Sequence, residues 1–209
     1  QAGALDAISS GDASAGVKEA LAKGADYAVS SLGKSGGFMG NDKVKIKLPG
    51  YLEKADSALR MFGMGKQADQ LVETMNRAAE NAVAEAKPIL TESIKKMSVK
   101  DAKDILTGGE DSVTQYFKRT STDQLTAKFK PVVKKETAKL KLADQYNKFA
   151  GKAASAGLVD KQNADVDSYV TQKAMDGLFL MIAEEEKKLR ANPMGAGSDL
   201  LKNVFGALN

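Results

Sequence analysis

The residue types that carry most enzyme chemistry are absent from this sequence or scattered along it. The 209 residues include no Cys and no His, which removes thiol nucleophiles, imidazole bases and the zinc-ligand sets built from them. Carboxylates are abundant, but their spacing indicates only helix caps and solvated helix faces, for example at Asp165, Asp167, Asp176 and Glu184. The pair Asp165 and Asp167 lacks the glycine and the later glutamate of a calcium loop. We therefore predict no catalytic residue, no metal site and no cofactor.

Two glycine-rich stretches match parts of nucleotide-binding motifs without the context that those motifs need. Residues 33–35 (Gly-Lys-Ser) end like a phosphate-binding loop, but that loop has a glycine where this sequence has Ala28. Residues 63–68 (Gly-Met-Gly-Lys-Gln-Ala) fit a relaxed dinucleotide fingerprint, which must follow a strand. A predicted helix precedes each stretch, so both are interpreted as ordinary helix ends.

The first candidate contact residues lie in a glycine-rich segment after the first predicted helix. Phe38 and Met39 stand among glycines at positions 33, 36, 37 and 40, which give them little local cover. These two side chains either fold back onto the body of the protein or contact a partner or ligand. The next residues alternate between apolar residues and lysines, which predicts an extended segment or small hairpin from Val44 to Leu48.

Positive charge is concentrated in one segment. From Lys118 to Lys141 there are eight Lys and Arg residues against two acids, although the whole chain carries only +4. The segment is either a solvated helix face or a contact for an anionic partner. Anionic lipid is favoured over nucleic acid, because no nucleic-acid recognition fold or stacking platform is present. The candidate contacts on this segment are Lys128, Lys134 and Lys135.

Apolar residues elsewhere recur at helical spacing and predict the elements that hold these candidates. The fold class is all-α, a bundle of about eight helices around a buried central helix from Val166 to Leu189. Leu178 to Ala183 is apolar on every side and should be the least exposed stretch. Pro88 should kink or split a helix predicted over residues 66–97, and Pro131 should interrupt another. We predict one domain over residues 1–209, with residues 1–11 flexible and an amphipathic C-terminal helix following a flexible joint, both within residues 193–209.

Five stretches of the sequence resemble a known family. They are Gly36-Gly37-Phe38 with Asn41, Val44, Ile46 and Leu48-Pro49; residues 63–66 with 75–79; residues 97–102; residues 106–117; and residues 177–186. Together they resemble bacterial domain-of-unknown-function family 4197, from which Lys47 departs, since proline is expected there. The resemblance implies no activity, but it implies an exported protein of Gram-negative bacteria with a signal peptide or lipoprotein leader. The start at Gln1 and the absence of Cys are compatible with that export.

These observations lead to two hypotheses of function. The first is a non-enzymatic cell-envelope protein, periplasmic or of the lipoprotein type, that binds a partner protein, a lipid or another apolar ligand. The alternative is an enzyme with an unfamiliar carboxylate- or lysine-based site. Desolvated acids or lysines clustered in a pocket would favour the enzyme, whereas a dry apolar cavity or an exposed apolar patch would favour the binding protein. We expect a monomer or a small homo-oligomer.

Overall fold

The computed structural model describes residues 10–49, 60–61, 63, 65–140, 144, 147 and 165–191. These residues form six α-helices, and none of them belongs to a β-strand. In chain order the helices are α1 (Ser10–Leu32), α2 (Gly65–Val83), α3 (Lys87–Lys95), α4 (Val99–Thr107), α5 (Ser112–Thr137) and α6 (Val166–Ala191). The all-α prediction is confirmed, whereas the described part of the chain has six helices and not the predicted eight.

The chain divides into two compact units. Unit 1 comprises Gln1–Ser30, Ala86–Gln124 and Leu178–Asn209, and unit 2 comprises Ser31–Glu85 and Leu125–Gly177. The large side chains that are fully buried in unit 1 include Leu21, Leu90, Leu106 and Phe117, and those in unit 2 include Phe38, Leu71, Met75 and Phe129. The single domain and the bundle around residues 166–189 stay predictions.

The most apolar stretch of α6 is not the least exposed one, so that prediction is wrong. Leu178, Phe179 and Ile182 are buried, but Leu180 is 40% exposed. Successive helix residues are turned by about 100°, so positions 178, 179 and 182 share one side of the helix and position 180 lies on another. Apolar composition on every side therefore does not bring every side into the core.

Proline acts differently at its two positions within helical segments. Pro88 lies in the first turn of α3 after a break at residues 84–86, so the predicted split is confirmed. Pro131 lies inside α5, which continues from Ser112 to Thr137, so the predicted interruption is wrong. Pro131 is exposed, and the carbonyl of Ala127 that loses its N–H donor also lies on an exposed residue. Solvent can satisfy that carbonyl, and the helix continues.

Several predictions fall wholly or mainly outside the described residues. They concern flexible residues 1–11, a helix over residues 49–62, a helix around residues 146–153 and the C-terminal segment 193–209. Among the helices that the structure does describe, none combines the length and the apolar character that a membrane span requires.

Candidate functional site

The glycine loop, residues 33–49, lies in unit 2 and connects the end of α1 to the segment that precedes α2. Its turns are closed by backbone hydrogen bonds from Gly37 N to Lys34 O (2.9 Å) and from Gly40 N to Gly36 O (2.8 Å). Gly36 has a φ of +82°, which side-chain-bearing residues rarely adopt. At Gly37 a Cβ atom would lie 2.3 Å from the carbonyl oxygen of Leu32. The glycines are therefore required by the tightness of the turn.

A buried carboxylate on α2 holds the glycine loop in place. Glu80 is only 6% exposed, and its oxygens accept hydrogen bonds from the backbone N–H groups of Gly36 (3.1 Å), Phe38 (3.0 Å) and Met39 (3.1 Å). No Lys or Arg of the described residues forms an ion pair with it. Successive backbone N–H groups that converge on one anion form a nest, and here the anion is a side chain of the same chain.

The segment from Val44 to Leu48 begins in a turn, in which Val44 N bonds to Asn41 O (3.1 Å), and it forms no β-ladder, so the predicted hairpin is corrected for the described residues. Its hydrogen-bonding partner is a side chain. Asn76 on α2 accepts from Ile46 N (2.8 Å) and donates to Ile46 O (2.9 Å). The primary amide thus replaces the neighbouring strand that period-two alternation normally indicates. Tyr169 on α6 adds a hydrogen bond from its hydroxyl to Lys47 O (2.6 Å).

The two adjacent candidates on the loop have opposite environments. Phe38 is 0% exposed, and its ring lies so close to Gly177 that a Cβ atom there would be 2.7 Å from Phe38 Cε2. Phe38 therefore folds back onto the body of unit 2. Met39 is 36% exposed, although its backbone N–H is bound to Glu80. The loop presents Met39, and not Phe38, at the surface.

The lysine candidates lie on the C-terminal half of α5 and just beyond it. The buried stripe of this half is Leu125, Phe129 and Val133, at a spacing of four residues. Lysines on the other sides of the helix are exposed, and we call them the cationic face: Lys128, Lys130, Lys134, Lys135 and Lys139. Within the described part of the chain, none of the five forms an ion pair. Two acids lie at this end of the helix: Glu136, which accepts a hydrogen bond from Asn81 (3.1 Å), and Asp167 of α6, which accepts one from Thr137.

The glycine loop and the end of α5 are both hydrogen-bonded to the last turn of α2. Glu80 binds the loop, and the next residue, Asn81, binds Glu136 on α5. Glu136 directly follows Lys134 and Lys135 in the sequence. The loop and the end of α5 therefore contact adjacent residues of α2, although Met39 and Glu136 are far apart in sequence.

Unit 1 carries a shallow surface cleft of about 290 Å³, lined by acids and one arginine. The three-residue spacing of Ser98 and Asp101 in the sequence predicts a capping box. The structure confirms it, because Asp101 caps α4 through a reciprocal pair of hydrogen bonds with Ser98. The Ser98 backbone N–H lowers the pKa of Asp101 below its ordinary value. Asp104 pairs with Lys100 at 2.8 Å, and Asp111 accepts from Gln115 at 3.1 Å. Each of these carboxylates thus has a structural partner.

A second buried carboxylate, in unit 1, has a structural role at the start of α5. Glu186 accepts from the backbone N–H groups of Val113 (3.0 Å) and Thr114 (3.1 Å), which have no partner within the helix. Arg190 neutralises it through a 3.0 Å ion pair. Among the described residues, no group of three or more acids has the arrangement of a metal site.

The residues that organise unit 2 were not among the sequence-based candidates. Asn76 and Glu80 are one turn apart on α2 and lie among its buried apolar residues. A polar pair at a spacing of four within an apolar stripe is a usable signal, because buried polar groups require partners. The sequence gives no indication, however, that those partners are backbone atoms of the glycine loop.

The chain belongs to the protein family described as Protein of unknown function (DUF4197), whose model matches residues 7–206. This confirms the resemblance found in the sequence. No curated protein and no solved structure matches the chain. The family description assigns no activity, so a function has to be argued from the geometry of the described residues.

Proposed function

We propose that this protein is a non-enzymatic component of the Gram-negative cell envelope that attaches to an anionic lipid surface through the cationic face of α5. One observation carries the proposal. Five exposed lysines lie in one twelve-residue segment of unit 2, from Lys128 to Lys139. None of them has an ion-pair partner among the described residues. The envelope location is part of the proposal and is supported by the export that the family resemblance implies.

Electrostatics accounts for such attachment without insertion of a helix. Each lysine close to an anionic leaflet contributes about 1 kcal/mol, so five together supply at most about 5 kcal/mol. That amount corresponds to weak, reversible binding. The lysine side chains are long enough for their ammonium groups to reach lipid phosphates while the stems remain against the helix. Salt should weaken the attachment, because the Debye length is only about 8 Å at physiological ionic strength.

The alternative, an enzyme with a carboxylate- or lysine-based site, finds little support in the acidic cleft of unit 1. A catalytic acid needs a pKa raised by burial or by a neighbouring negative charge. Asp101 has a lowered pKa, because it caps a helix. The Tyr116 hydroxyl has a raised pKa, mainly because it is buried, but it donates to Ser93 O at 2.7 Å and so does not point at a substrate.

Vesicle co-sedimentation tests the proposal. The protein is mixed with vesicles of phosphatidylcholine, with or without phosphatidylglycerol, at low and at physiological salt. We expect sedimentation only with the anionic vesicles and less of it as salt rises. The double variant Lys134→Glu with Lys135→Glu should lose this binding, because two attractions become repulsions.

The matched control reverses another adjacent lysine pair at the end of a helix. Lys95 and Lys96 are also exposed and lie at the end of α3 in unit 1. The variant Lys95→Glu with Lys96→Glu has the same net charge as the α5 variant and should still sediment. Equal loss in both variants would show that only net charge matters, and binding to neutral vesicles would rule out the electrostatic mechanism.

A further inference from the structure

We infer that the glycine loop is a second lipid contact, whose exposed Met39 enters the interface of the same anionic membrane that the cationic face binds. The inference rests on the proposed function, which it extends from long-range attraction to insertion of an apolar side chain. Stable peripheral attachment generally takes two signals, one electrostatic and one apolar. The cationic face provides the first, and the loop has the composition and support for the second.

The loop holds Met39 outward on a fixed backbone. Its N–H is bound to the buried carboxylate of Glu80 at 3.1 Å. The preceding residue, Phe38, is fully buried beside Gly177 and anchors the loop from the other direction. An apolar side chain held this way does not need to be ordered when it binds, which lowers the entropic cost of insertion.

The glycine loop carries four lysines besides the exposed methionine. Val44 and Ile46 are buried, at 8% and 2% exposure, and alternate with these lysines. Lys34, Lys43 and Lys47 are exposed, and Lys45 is partly exposed. Asp42 is the only acid from Gly33 to Pro49. An apolar tip among lysines is the composition of segments that lie in the interface of anionic membranes.

The glycine loop and α5 are bonded to neighbouring residues of α2. Both are attached to the last turn of α2, through Glu80 and Asn81 respectively. Exposure of an apolar side chain is not by itself enough for this role. Leu180, for example, is 40% exposed but has acids four residues before and after it on α6, at Asp176 and Glu184, which an anionic surface would repel.

The chain offers a direct spectroscopic test, because it contains no Trp. Met39→Trp places a sole tryptophan at the tip of the loop, and Leu180→Trp places one at a site of nearly equal exposure. Each variant is titrated with phosphatidylcholine–phosphatidylglycerol vesicles whose acyl chains carry bromine, which quenches only nearby indole. We expect a blue shift and quenching for the Met39 variant and neither for the Leu180 variant.

A polar substitution measures the contribution of insertion to affinity. Met39→Ser should weaken binding to anionic vesicles by about fivefold at physiological salt, since part of one methionine is no longer removed from water. If a bulky indole at residue 39 prevents folding, Met39→Cys labelled with an environment-sensitive dye replaces it, because the chain has no native Cys.

The outcomes separate this inference from the proposed function. If the wild-type protein sediments with anionic vesicles but the residue 39 probe is not quenched, the loop inference is overturned and the electrostatic attachment stands. Quenching of both probes to the same degree would indicate nonspecific adsorption and would also overturn it. If the wild-type protein binds no vesicles, both proposals fail together.

Discussion

Replacing Glu80 by glutamine should destabilise the protein substantially, even though the side chain keeps its size. The carboxylate accepts two N–H groups at Oε2, from Phe38 and Met39, and one at Oε1, from Gly36. A glutamine can keep one oxygen toward Phe38 and Met39, but its NH2 group then faces the N–H of Gly36. Two charge-assisted hydrogen bonds become neutral, and the third becomes a contact between two donors.

The magnitude follows from typical hydrogen-bond energies. Hydrogen bonds to charged groups contribute about 1.5–3 kcal/mol each, and neutral ones about 0.5–1.5 kcal/mol. Weakening two of them removes about 2–3 kcal/mol. The lost bond at Gly36 adds little, because that residue is exposed and water can replace the acceptor. A smaller desolvation cost for the neutral side chain offsets part of this loss. We expect Glu80→Gln to lower the free energy of unfolding by about 2 kcal/mol.

Urea unfolding at neutral pH, followed by circular dichroism, measures this difference. The matched control is Glu73→Gln on the same helix. Glu73 is exposed and pairs with Arg77 at 3.2 Å, an arrangement that contributes only about 0.3–0.5 kcal/mol. Equal midpoints and slopes for Glu80→Gln and Glu73→Gln would refute the argument that the buried carboxylate holds the loop.

Two further predictions concern helix glycines and a helix cap. Gly177→Ala should destabilise by about 1–3 kcal/mol, because its Cβ would lie 2.7 Å from the ring of Phe38. Gly24→Ala should stabilise by about 0.5–1 kcal/mol, because its Cβ would lie 3.8 Å from Glu185 Cβ, an ordinary contact distance. Thermal melts of the two variants should therefore shift in opposite directions, and shifts of the same sign would contradict the packing described at Phe38. Because the pKa of Asp101 is lowered in the folded state, its contribution is present above the unfolded value of 3.8 and is lost as pH falls through the folded value. The melting temperatures of wild type and Asp101→Asn should accordingly differ at neutral pH and converge in acid, and a gap that persists there would show that ionisation is not its cause.

Local rules predicted the features that depend on neighbours in sequence. The capping box at Ser98 and the break before Pro88 are set by residues within one helical turn, and both are confirmed. The prediction that Pro131 interrupts its helix was wrong, because the cost of a missing hydrogen bond depends on whether the freed carbonyl can reach solvent. The sequence does not show this. The prediction that residues 178–183 are the least exposed stretch was wrong at Leu180, because the apolar character of a residue does not determine which side of its helix packs against the core.

The organisation of the glycine loop depends on contacts that no local pattern contains. Glu80 is 41 to 44 residues from the N–H groups that it binds, and Asn76 is 30 residues from Ile46. The alternation from Val44 to Leu48 indicated the buried and exposed sides of this segment well, because period two requires only an extended backbone. It did not indicate a strand, since the partner of that backbone is a side chain.

The way in which Glu80 binds the loop leaves the side chain at residue 39 free to vary. The carboxylate contacts backbone N–H groups, which every residue except proline possesses, and it contacts no atom of the Met39 side chain through those bonds. The shape of the loop is thus specified separately from the chemistry at its tip. A different side chain at residue 39 would be displayed from the same fixed position, so the character of this surface can change without redesign of the fold beneath it.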